Sequence, residues 1–189
     1  MTVPYGLTED GFEKHLQANH LGHFLFTNLI MDKLLKANKP RVIGIRWTDY
    51  NFSRGKTYET RAAYGQSKTA NSLMALSLAE KLGARGLTAF SMHPGAIMTT
   101  KLTAHVDDFE AMAKNMQAVD AAMGTKYMWG LDEMKLKDLD EGVATHVFAA
   151  FDPTIAEQNG VYLNDCRVAD PYKEEVYPWA TSKVSADML

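Results

Sequence analysis

The stretch Ala63-Tyr64-Gly65-Gln66-Ser67-Lys68-Thr69-Ala70-Asn71 sets a phenol and an ammonium four residues apart in an apolar, helix-favouring run. On a helix, Tyr64 and Lys68 share one face. A Lys close to a Tyr favours the phenolate, which predicts a Tyr64 pKa below its ordinary value of about 10 and a better proton shuttle at neutral pH. The chain has eight Tyr, so one such spacing also arises by chance, and the pair alone is weak evidence for a site.

The segments around this stretch predict a parallel βαβ unit. We expect a helix over 60–82 with Gly83 as its C′ residue, because the run is apolar on most of its circumference and ends in glycine. Short β-branched and apolar runs at 41–45 and 87–92 suit buried strands on either side of the helix. Ligands of open parallel sheets bind outside the carboxyl ends of the strands, which places 94–99 at the binding edge.

Before this unit, apolar residues recur every three or four positions and predict a helix over 8–37 with Thr8 as its N-cap. We expect a bend at 19–22, where Asn19 is a polar residue on the buried stripe and Gly22 is a poor helix former. Asn19 is either an internally satisfied amide or a functional residue, and the pattern leaves both open. The three histidines of this segment lack carboxylate or Cys companions at ligand spacing, so no metal site is predicted: His15, His20 and His23.

After the unit, the Met-rich segment 101–137 suits either a lid over an apolar substrate or ordinary core packing. It contains a helical pattern at 109–123. A third helix is expected over 138–151, a third strand over 160–163, and the start of a last helix at 185–189. We expect one domain, 1–189, of the α/β class.

Composition narrows the classes of function. A net charge of −3 and a pI near 6.1 provide no basic field for a nucleic acid or an anionic membrane. The single cysteine, Cys166, excludes an internal disulfide framework and is expected to be a buried or half-buried thiol without a role. The sequence shows no leader peptide and no run long enough to span a membrane, so the cytosol is the expected compartment.

Four motifs in order resemble the short-chain dehydrogenase/reductase family, and particularly its retinol-dehydrogenase-like and fungal branch. The motifs are Asn19-His20-Leu21-Gly22-His23-Phe24, Tyr64-x-x-x-Lys68, Pro94-Gly95-x-Ile97-x-Thr99 and Gly160-Val161-Tyr162-Leu163. The resemblance implies a Rossmann-like, doubly wound parallel sheet, here a partial one with about three strands and long flanking helices.

The resemblance also implies roles for the matching residues. Tyr64 would exchange a proton with the substrate oxygen during hydride transfer with NAD or NADP, while Lys68 would lower the Tyr64 pKa and bind the nicotinamide ribose. Asn19 would hold a water in a proton relay to Lys68. The turn after the second strand would contact the cofactor through Pro94, Gly95, Ile97 and Thr99.

The chain also departs from the family pattern. It has no glycine-rich phosphate turn and no Asn-Asn-Ala-Gly segment, so we expect it to be truncated at its N-terminus relative to the family pattern. The Ser-bearing segment expected after 41–43 has no counterpart, and the nearby hydroxyls of Thr48 and Ser53 are poor substitutes. The exposed sheet edge at 42–43 predicts a marginal fold or a covering partner.

Three functions therefore stay open. The first is an NAD(P)-dependent oxidoreductase acting on a small apolar alcohol or carbonyl, impaired by the two gaps. The second is a cofactor-free isomerase, dehydratase or cyclase that uses Tyr64 and Lys68 as acid and base. The third is a non-catalytic, truncated subunit. A homo-oligomer through helices 8–37 and 60–82 is also predicted, because both faces of the second helix are apolar.

Overall fold

The computed structural model describes residues 3–36, 41–42, 51–97, 99–104, 106–123, 136–170 and 181–187. Its helices are α1 (Lys14–Leu16), a π-helical turn (Gln17–Leu21), α2 (Gly22–Leu29), α3 (Met31–Leu34), α4 (Thr60–Leu82), α5 (Phe109–Met123), α6 (Leu139–Phe151) and α7 (Lys183–Asp187). Its strands are β1 (Arg41–Val42), β2 (Thr88–Ala89), β3 (Ser91–His93), β4 (Tyr162–Asn164) and β5 (Arg167–Val168). Helices and strands alternate along the chain, which confirms the α/β class.

The predicted parallel pairing is present. Strand β1 pairs in parallel with β2, and β3 pairs in parallel with β4. Because β2 and β3 are halves of one extended stretch interrupted only at Phe90, this stretch joins β1 through its first half and β4 through its second. The βαβ unit of β1, α4 and β2 is therefore confirmed. Strand β4 begins two residues later than predicted, because Gly160 takes a left-handed φ of +79° in the preceding turn.

A fifth strand was not predicted. Strand β5 pairs antiparallel with β4 through the two-residue turn Asp165-Cys166, whose φ angles are +47° and +55°. Two successive left-handed residues match the twist of a tight hairpin. The prediction of a buried or half-buried Cys166 is wrong, because the residue is at the tip of this turn and is exposed.

The first helix starts later than predicted. Thr8 is not an N-cap: Gly11, with φ +81°, closes a turn in which its N–H donates to the Thr8 carbonyl oxygen at 3.0 Å. The cap is instead Glu13, whose carboxylate accepts from the backbone of the first helical turn. The predicted continuous helix 8–37 is therefore wrong at its N-terminal end, where glycine permits a turn that competes with helix.

The predicted bend in this helix is found. Residues Gln17–Leu21 form a π-helical turn that contains Asn19, and Gly22 begins the next α-helical segment. A second break lies at Ile30, with φ −99° and ψ 5°, and α3 ends at Leu34. The predicted buried stripe is therefore only partly found: His15, Leu16 and His20 are buried, whereas α2 and α3 contain no buried residue and His23 of the predicted stripe is exposed.

The second helix has the predicted bounds, Thr60–Leu82, and is capped by Glu59. Gly83 is not a left-handed C′ residue, since its φ and ψ are −57° and −40°. The chain continues into a 3₁₀ turn, Gly83–Arg85, and reverses at Gly86 with φ +87°. Helices α5 and α6 also match the predictions, and Asp138 and Glu141 form a capping box before α6.

The core lies between the sheet and its helices. One buried cluster joins Phe90, Ala149, Ile155 and Leu163. The buried face of α4 consists of Ala63, Ser67, Ala70, Leu73, Met74, Ala75 and Ser77. Helix α7 packs on α4, with an ion pair of 2.8 Å between Lys183 and Glu80. The chain's own last helix therefore covers part of α4, and the homo-oligomer stays a prediction.

Some of the predictions concern residues that the structure does not describe. The strand end at 43–45, Thr48 and the middle of the Met-rich segment, 124–135, lie outside the described residues. Within the described ranges, no helix is long and apolar enough to cross a membrane. The same ranges hold no group of three His, Cys, Asp or Glu residues placed to bind a metal ion.

Candidate active site

Tyr64 and Lys68 lie on one face of α4, in its first half. The Lys68 Nζ stands 5.5 Å from the centroid of the Tyr64 ring. Tyr64 is half-buried and Lys68 is exposed. The four-residue spacing therefore produces the side-chain contact that the sequence predicted.

The predicted lowering of the Tyr64 pKa is not found. Burial raises the pKa of Tyr64 above its ordinary value, and desolvation by the surrounding protein lowers the pKa of Lys68, although much of that side chain stays in contact with solvent. Lys68 lies over the ring, where the ammonium acts on the π face. Tyr64 is therefore a neutral phenol at pH 7, which is the form that donates a proton.

Asn19 reaches the helix that carries Tyr64. Its Nδ2 donates to the Ser67 Oγ at 2.9 Å, and the Ser67 hydroxyl donates to the Tyr64 carbonyl oxygen at 2.7 Å. The structure thus connects Asn19 to the backbone of Tyr64 through Ser67. The π-helical turn places Asn19 there, and such turns are frequent at functional sites. Ser67, fully buried, was not singled out from the sequence, although it directly precedes Lys68.

A buried polar cluster supports Tyr64 from the other side. The His15 ring lies edge-on to the Tyr64 ring, with centroids 6.3 Å apart. His15 Nε2 accepts the Val3 N–H at 3.2 Å, so its proton is on Nδ1, which donates to a Glu13 carboxylate oxygen at 2.9 Å. The Tyr58 hydroxyl donates to the Val3 carbonyl oxygen at 2.7 Å. Burial, together with the charge of Glu13, raises the pKa of Tyr58 to about 12.

This polar cluster was not predicted from the sequence. Glu13 is 1% exposed and His15 4%, yet both are charged or polar residues in a segment predicted to be a continuous helix. The feature of the sequence that could have indicated it is the position of Glu13 directly before a helix, where an acidic side chain accepts hydrogen bonds from the backbone N–H groups of the first turn.

The predicted cofactor turn follows β3 at the expected edge. Gly95 has φ +89°, and its N–H donates to His93 Nδ1 at 3.1 Å. Ile97 packs against α6, where a Cβ on Gly142 would stand 2.0 Å from the Ile97 Cδ1. Thr99 is exposed and Pro94 is half-buried. The turn is therefore held against α6, with Thr99 facing solvent.

A cleft of about 260 Å³ opens between the start of α4 and α5. It is lined by Glu59, Thr60, Arg61, Val106, Asp108, Ala111, Met112 and Asn115. Part of the Met-rich segment thus forms one wall, and Met112 is 8% exposed there. Arg61 lies one helical turn before Tyr64, so the cleft approaches the face that carries the phenol. Ser53, one of the two hydroxyls near the position of the missing Ser-bearing segment, is exposed in the turns before α4.

The donor set at the Tyr64 end fits a nicotinamide ribose. Among the described residues Lys68 forms no ion pair, so its ammonium is available to ligand hydroxyls. The 189 residues contain no glycine-rich turn for a pyrophosphate. The arrangement offers a proton donor and a nearby cation for a carbonyl compound, and it offers donors for the ribose end of a dinucleotide but no cradle for its phosphates.

Comparisons with known proteins agree with the motifs. The family model described as enoyl-(acyl carrier protein) reductase matches residues 5–126. Human retinol dehydrogenase 11 is 31% identical over 177 residues, which cover 89% of this chain and 50% of that protein. The chloroplastic short-chain dehydrogenase TIC 32 A of Brassica napus is 33% identical over 189 residues, covering 90% of this chain and 54% of that protein. The chain thus spans about half the length of the curated relatives it matches.

Two solved structures also overlie the chain in part. Hydroxysteroid dehydrogenase from Escherichia coli is 18% identical with a TM-score of 0.48, covering 80% of this chain and 54% of that chain. NADPH-bound carbonyl reductase from chicken fatty liver is 17% identical with a TM-score of 0.49, covering 89% and 62%. Scores below 0.5 add nothing to the assignment, which rests on the family match over most of the chain and on the motifs that the fold brings together. The chain belongs to the short-chain dehydrogenase/reductase family of oxidoreductases.

Proposed function

We propose that this chain takes part in the NAD(P)-dependent interconversion of an apolar alcohol and its carbonyl compound. The observation that carries the proposal is the contact between Tyr64 and Lys68, with Nζ 5.5 Å from the ring centroid on one face of α4. A neutral phenol beside a cation, one helical turn from Arg61 in the cleft wall, suits protonation of a carbonyl oxygen.

In the reducing direction, Tyr64 donates its phenolic proton to the substrate oxygen as that oxygen gains negative charge. Lys68 stabilises the resulting phenolate, because its ammonium lies over the Tyr64 ring and favours the negatively charged form of that ring once the proton has left. Asn19 and Ser67 fix the helix backbone at Tyr64. A bound nicotinamide supplies or accepts the hydride. Oxidation of the alcohol uses the same groups in reverse.

The expected affinity of this chain for the cofactor is low. Lys68 can bind the nicotinamide ribose, and the turn at 94–99 lies at the carboxyl edge of the sheet. Without a glycine-rich turn in these residues, we expect dinucleotide affinity lower by orders of magnitude than a complete phosphate cradle provides. The proposal is thus an impaired oxidoreductase, for either NAD or NADP.

The proposed substrate is small and apolar. Val106, Ala111 and Met112 form the apolar part of the cleft beside α4, and the other five lining residues are polar or charged, so the cleft suits a small apolar group with a polar end. Relatives named retinol dehydrogenase support an apolar alcohol as the class to test. We propose that this chain is located in the cytosol, which is supported by its single cysteine. We also propose that it forms a homo-oligomer, which is supported by the exposed apolar residues of α2.

The test is a nicotinamide-fluorescence titration followed by turnover of apolar aldehydes, with retinal included. Tyr64→Phe removes only the hydroxyl and is expected to lower turnover by about 10²–10⁴-fold. Lys68→Met is expected to raise the dissociation constant of the reduced cofactor about tenfold, because one charged hydrogen-bond donor is lost.

Lys114→Met is the matched control. Lys114 lies on α5 in an exposed pair with Glu110, so its loss is expected to leave binding and turnover unchanged. No binding at millimolar cofactor, or full turnover in Tyr64→Phe, would overturn the proposal.

A further inference from the structure

The segment that leads into α6 lies directly on the predicted cofactor turn. The Lys137 N–H donates to the Ala96 carbonyl oxygen at 2.9 Å, and Ala96 and Leu136 form a parallel bridge. The Lys137 side chain crosses Gly95, where an added Cβ would stand 2.4 Å from the Lys137 Cδ. Gly95 thus serves close packing as well as its left-handed turn.

The end of the Lys137 side chain is tied to a third segment. Its ammonium forms an ion pair with the carboxylate of Asp165, the first residue of the turn between β4 and β5. The Lys137 side chain is 10% exposed, whereas the exposed pair of Lys114 and Glu110 on α5 has side chains 71% and 80% exposed. A nearly buried ammonium is screened little by solvent, so its partner matters more than a surface partner does.

Two further contacts converge on the same turn. The Gly95 N–H donates to His93 Nδ1, which requires a neutral imidazole. Desolvation by the surrounding protein and the nearby Lys137 lower the His93 pKa, opposed by Asp165, although part of the residue is exposed to solvent, and the lowered pKa favours the neutral ring. On the far side, Ile97 fills the space left by the missing side chain of Gly142.

We propose that Lys137 is a positioning residue, which fixes the turn 94–97 by joining it to the β4–β5 hairpin through Asp165. The inference rests on the proposed function, because that function assigns Pro94, Gly95 and Ile97 to the cofactor. A turn held in place before the ligand arrives loses less conformational entropy on binding. Lys137 touches neither substrate nor cofactor in this role, and it acts through the backbone of Gly95 and Ala96.

The test compares Lys137→Met, Lys137→Arg and Asp165→Asn with Lys114→Met as the control. Lys137→Met keeps an unbranched apolar side chain that can cover Gly95 and removes only the charge, while Lys137→Arg keeps the charge. We measure amide hydrogen exchange at Lys137, whose N–H is bonded to Ala96, together with the dissociation constant of NADH and NADPH and the thermal unfolding midpoint.

We expect Lys137→Met and Asp165→Asn each to speed exchange of the Lys137 amide about tenfold and to weaken cofactor binding about tenfold. Combining them should add little, because both break one pair. Lys137→Arg should restore most of both properties, and Lys114→Met should change neither.

Unchanged exchange in Lys137→Met would overturn the inference. Faster exchange with unchanged cofactor affinity would also overturn it, because Lys137 would then have a structural role only. If the unaltered chain binds neither cofactor at millimolar concentration, the proposed function fails and the positioning role fails with it. The exchange measurement separates these cases, since it reports the hold on the turn whether or not a cofactor binds.

Discussion

The two sides of the candidate site are held together in different ways. The helix seam, formed by residues 13–21 and 58–68, uses polar side chains that water does not reach: Glu13, His20 and Ser67 are each no more than 1% exposed. The strand edge, formed by residues 93–97, 136–142 and 164–167, relies on an ion pair in which the side chain of Lys137 is 10% exposed but that of its partner Asp165 is 47% exposed. Because hydrogen bonds and charges act more strongly away from water, we infer that the seam holds Tyr64 rigidly while the edge holds its turn more weakly.

The largest predicted effect is at Glu13. Its carboxylate accepts from the backbone N–H groups of His15 and Leu16 and from His15 Nδ1. Glu13→Ala leaves these buried donors without an acceptor, so we expect the free energy of unfolding to fall by about 3–4 kcal/mol. Urea unfolding checks the value.

The control for Glu13 is Glu110→Ala, because Glu110 is an exposed carboxylate on α5 paired with Lys114. We expect its loss to cost less than about 0.5 kcal/mol. If Glu13→Ala lowers the free energy of unfolding by less than about 1 kcal/mol, the buried contacts of the helix seam stabilise the fold no more than an exposed ion pair does.

The same comparison explains how much of the fold could be predicted. Helix α4 was predicted with its observed bounds, because a long run of good helix formers makes most of its hydrogen bonds locally. The start of α1 was not, because Gly11 permits a competing turn and Glu13 caps the helix only with tertiary partners around it, such as Asn51, whose Oδ1 accepts the Glu13 N–H at 3.0 Å. A bond across 38 residues has no local signal.

The candidate site was predictable to a similar degree. The contact of Tyr64 with Lys68 follows from helix geometry alone. The partner of Asn19 does not, because Ser67 lies 48 residues away and only the packing of two helices brings them together. The predicted direction of the shift in the Tyr64 pKa was wrong for the same reason. The sequence shows the neighbouring charge of Lys68 but not the burial whose effect on the pKa is larger.

The second prediction concerns the pH dependence of the seam. Burial, followed by the charge of His23, lowers the pKa of His20 from 6.5 to about 4. The unfolded chain then binds more protons than the folded chain between these values. Stability from this group is therefore complete above about pH 6.5 and is lost as the pH falls towards 4, by up to about 3 kcal/mol.

His20→Leu tests this prediction, because it removes the titrating group and places an apolar side chain at a fully buried position. We expect the decline in the free energy of unfolding between pH 6.5 and 4 to become shallower, as measured by urea titrations across that range. The residual slope belongs to the other titrating groups, His93 among them. An identical slope in both proteins would show that His20 titrates normally in the folded chain.

The third prediction concerns the connection between Asn19 and Ser67. Ser67→Ala removes the acceptor of the Asn19 amide and the donor to the Tyr64 carbonyl oxygen, which we expect to cost about 1–2 kcal/mol. Thr69→Ala is the matched control, because its hydroxyl also donates to a carbonyl on the same helix, that of Gly65, but in contact with solvent. A double-mutant cycle with Asn19→Ala should give a coupling of about 1 kcal/mol, and additive losses would argue against the connection.

The smallest predicted effect is at the strand edge and has the opposite sign. Cys166 has φ +55°, a left-handed conformation that glycine adopts without steric cost, so Cys166→Gly is expected to raise the free energy of unfolding by about 0.5–1 kcal/mol. The Cys166 N–H still donates to the Thr145 Oγ1, at 3.3 Å, and only the weak contact of its Sγ with the same hydroxyl, at 3.8 Å, is lost. Cys166→Ala keeps the left-handed strain and should not stabilise the chain. If Cys166→Gly is no more stable than Cys166→Ala, the left-handed conformation of this turn carries no steric cost. The strand edge would then be as free of backbone strain as the helix seam.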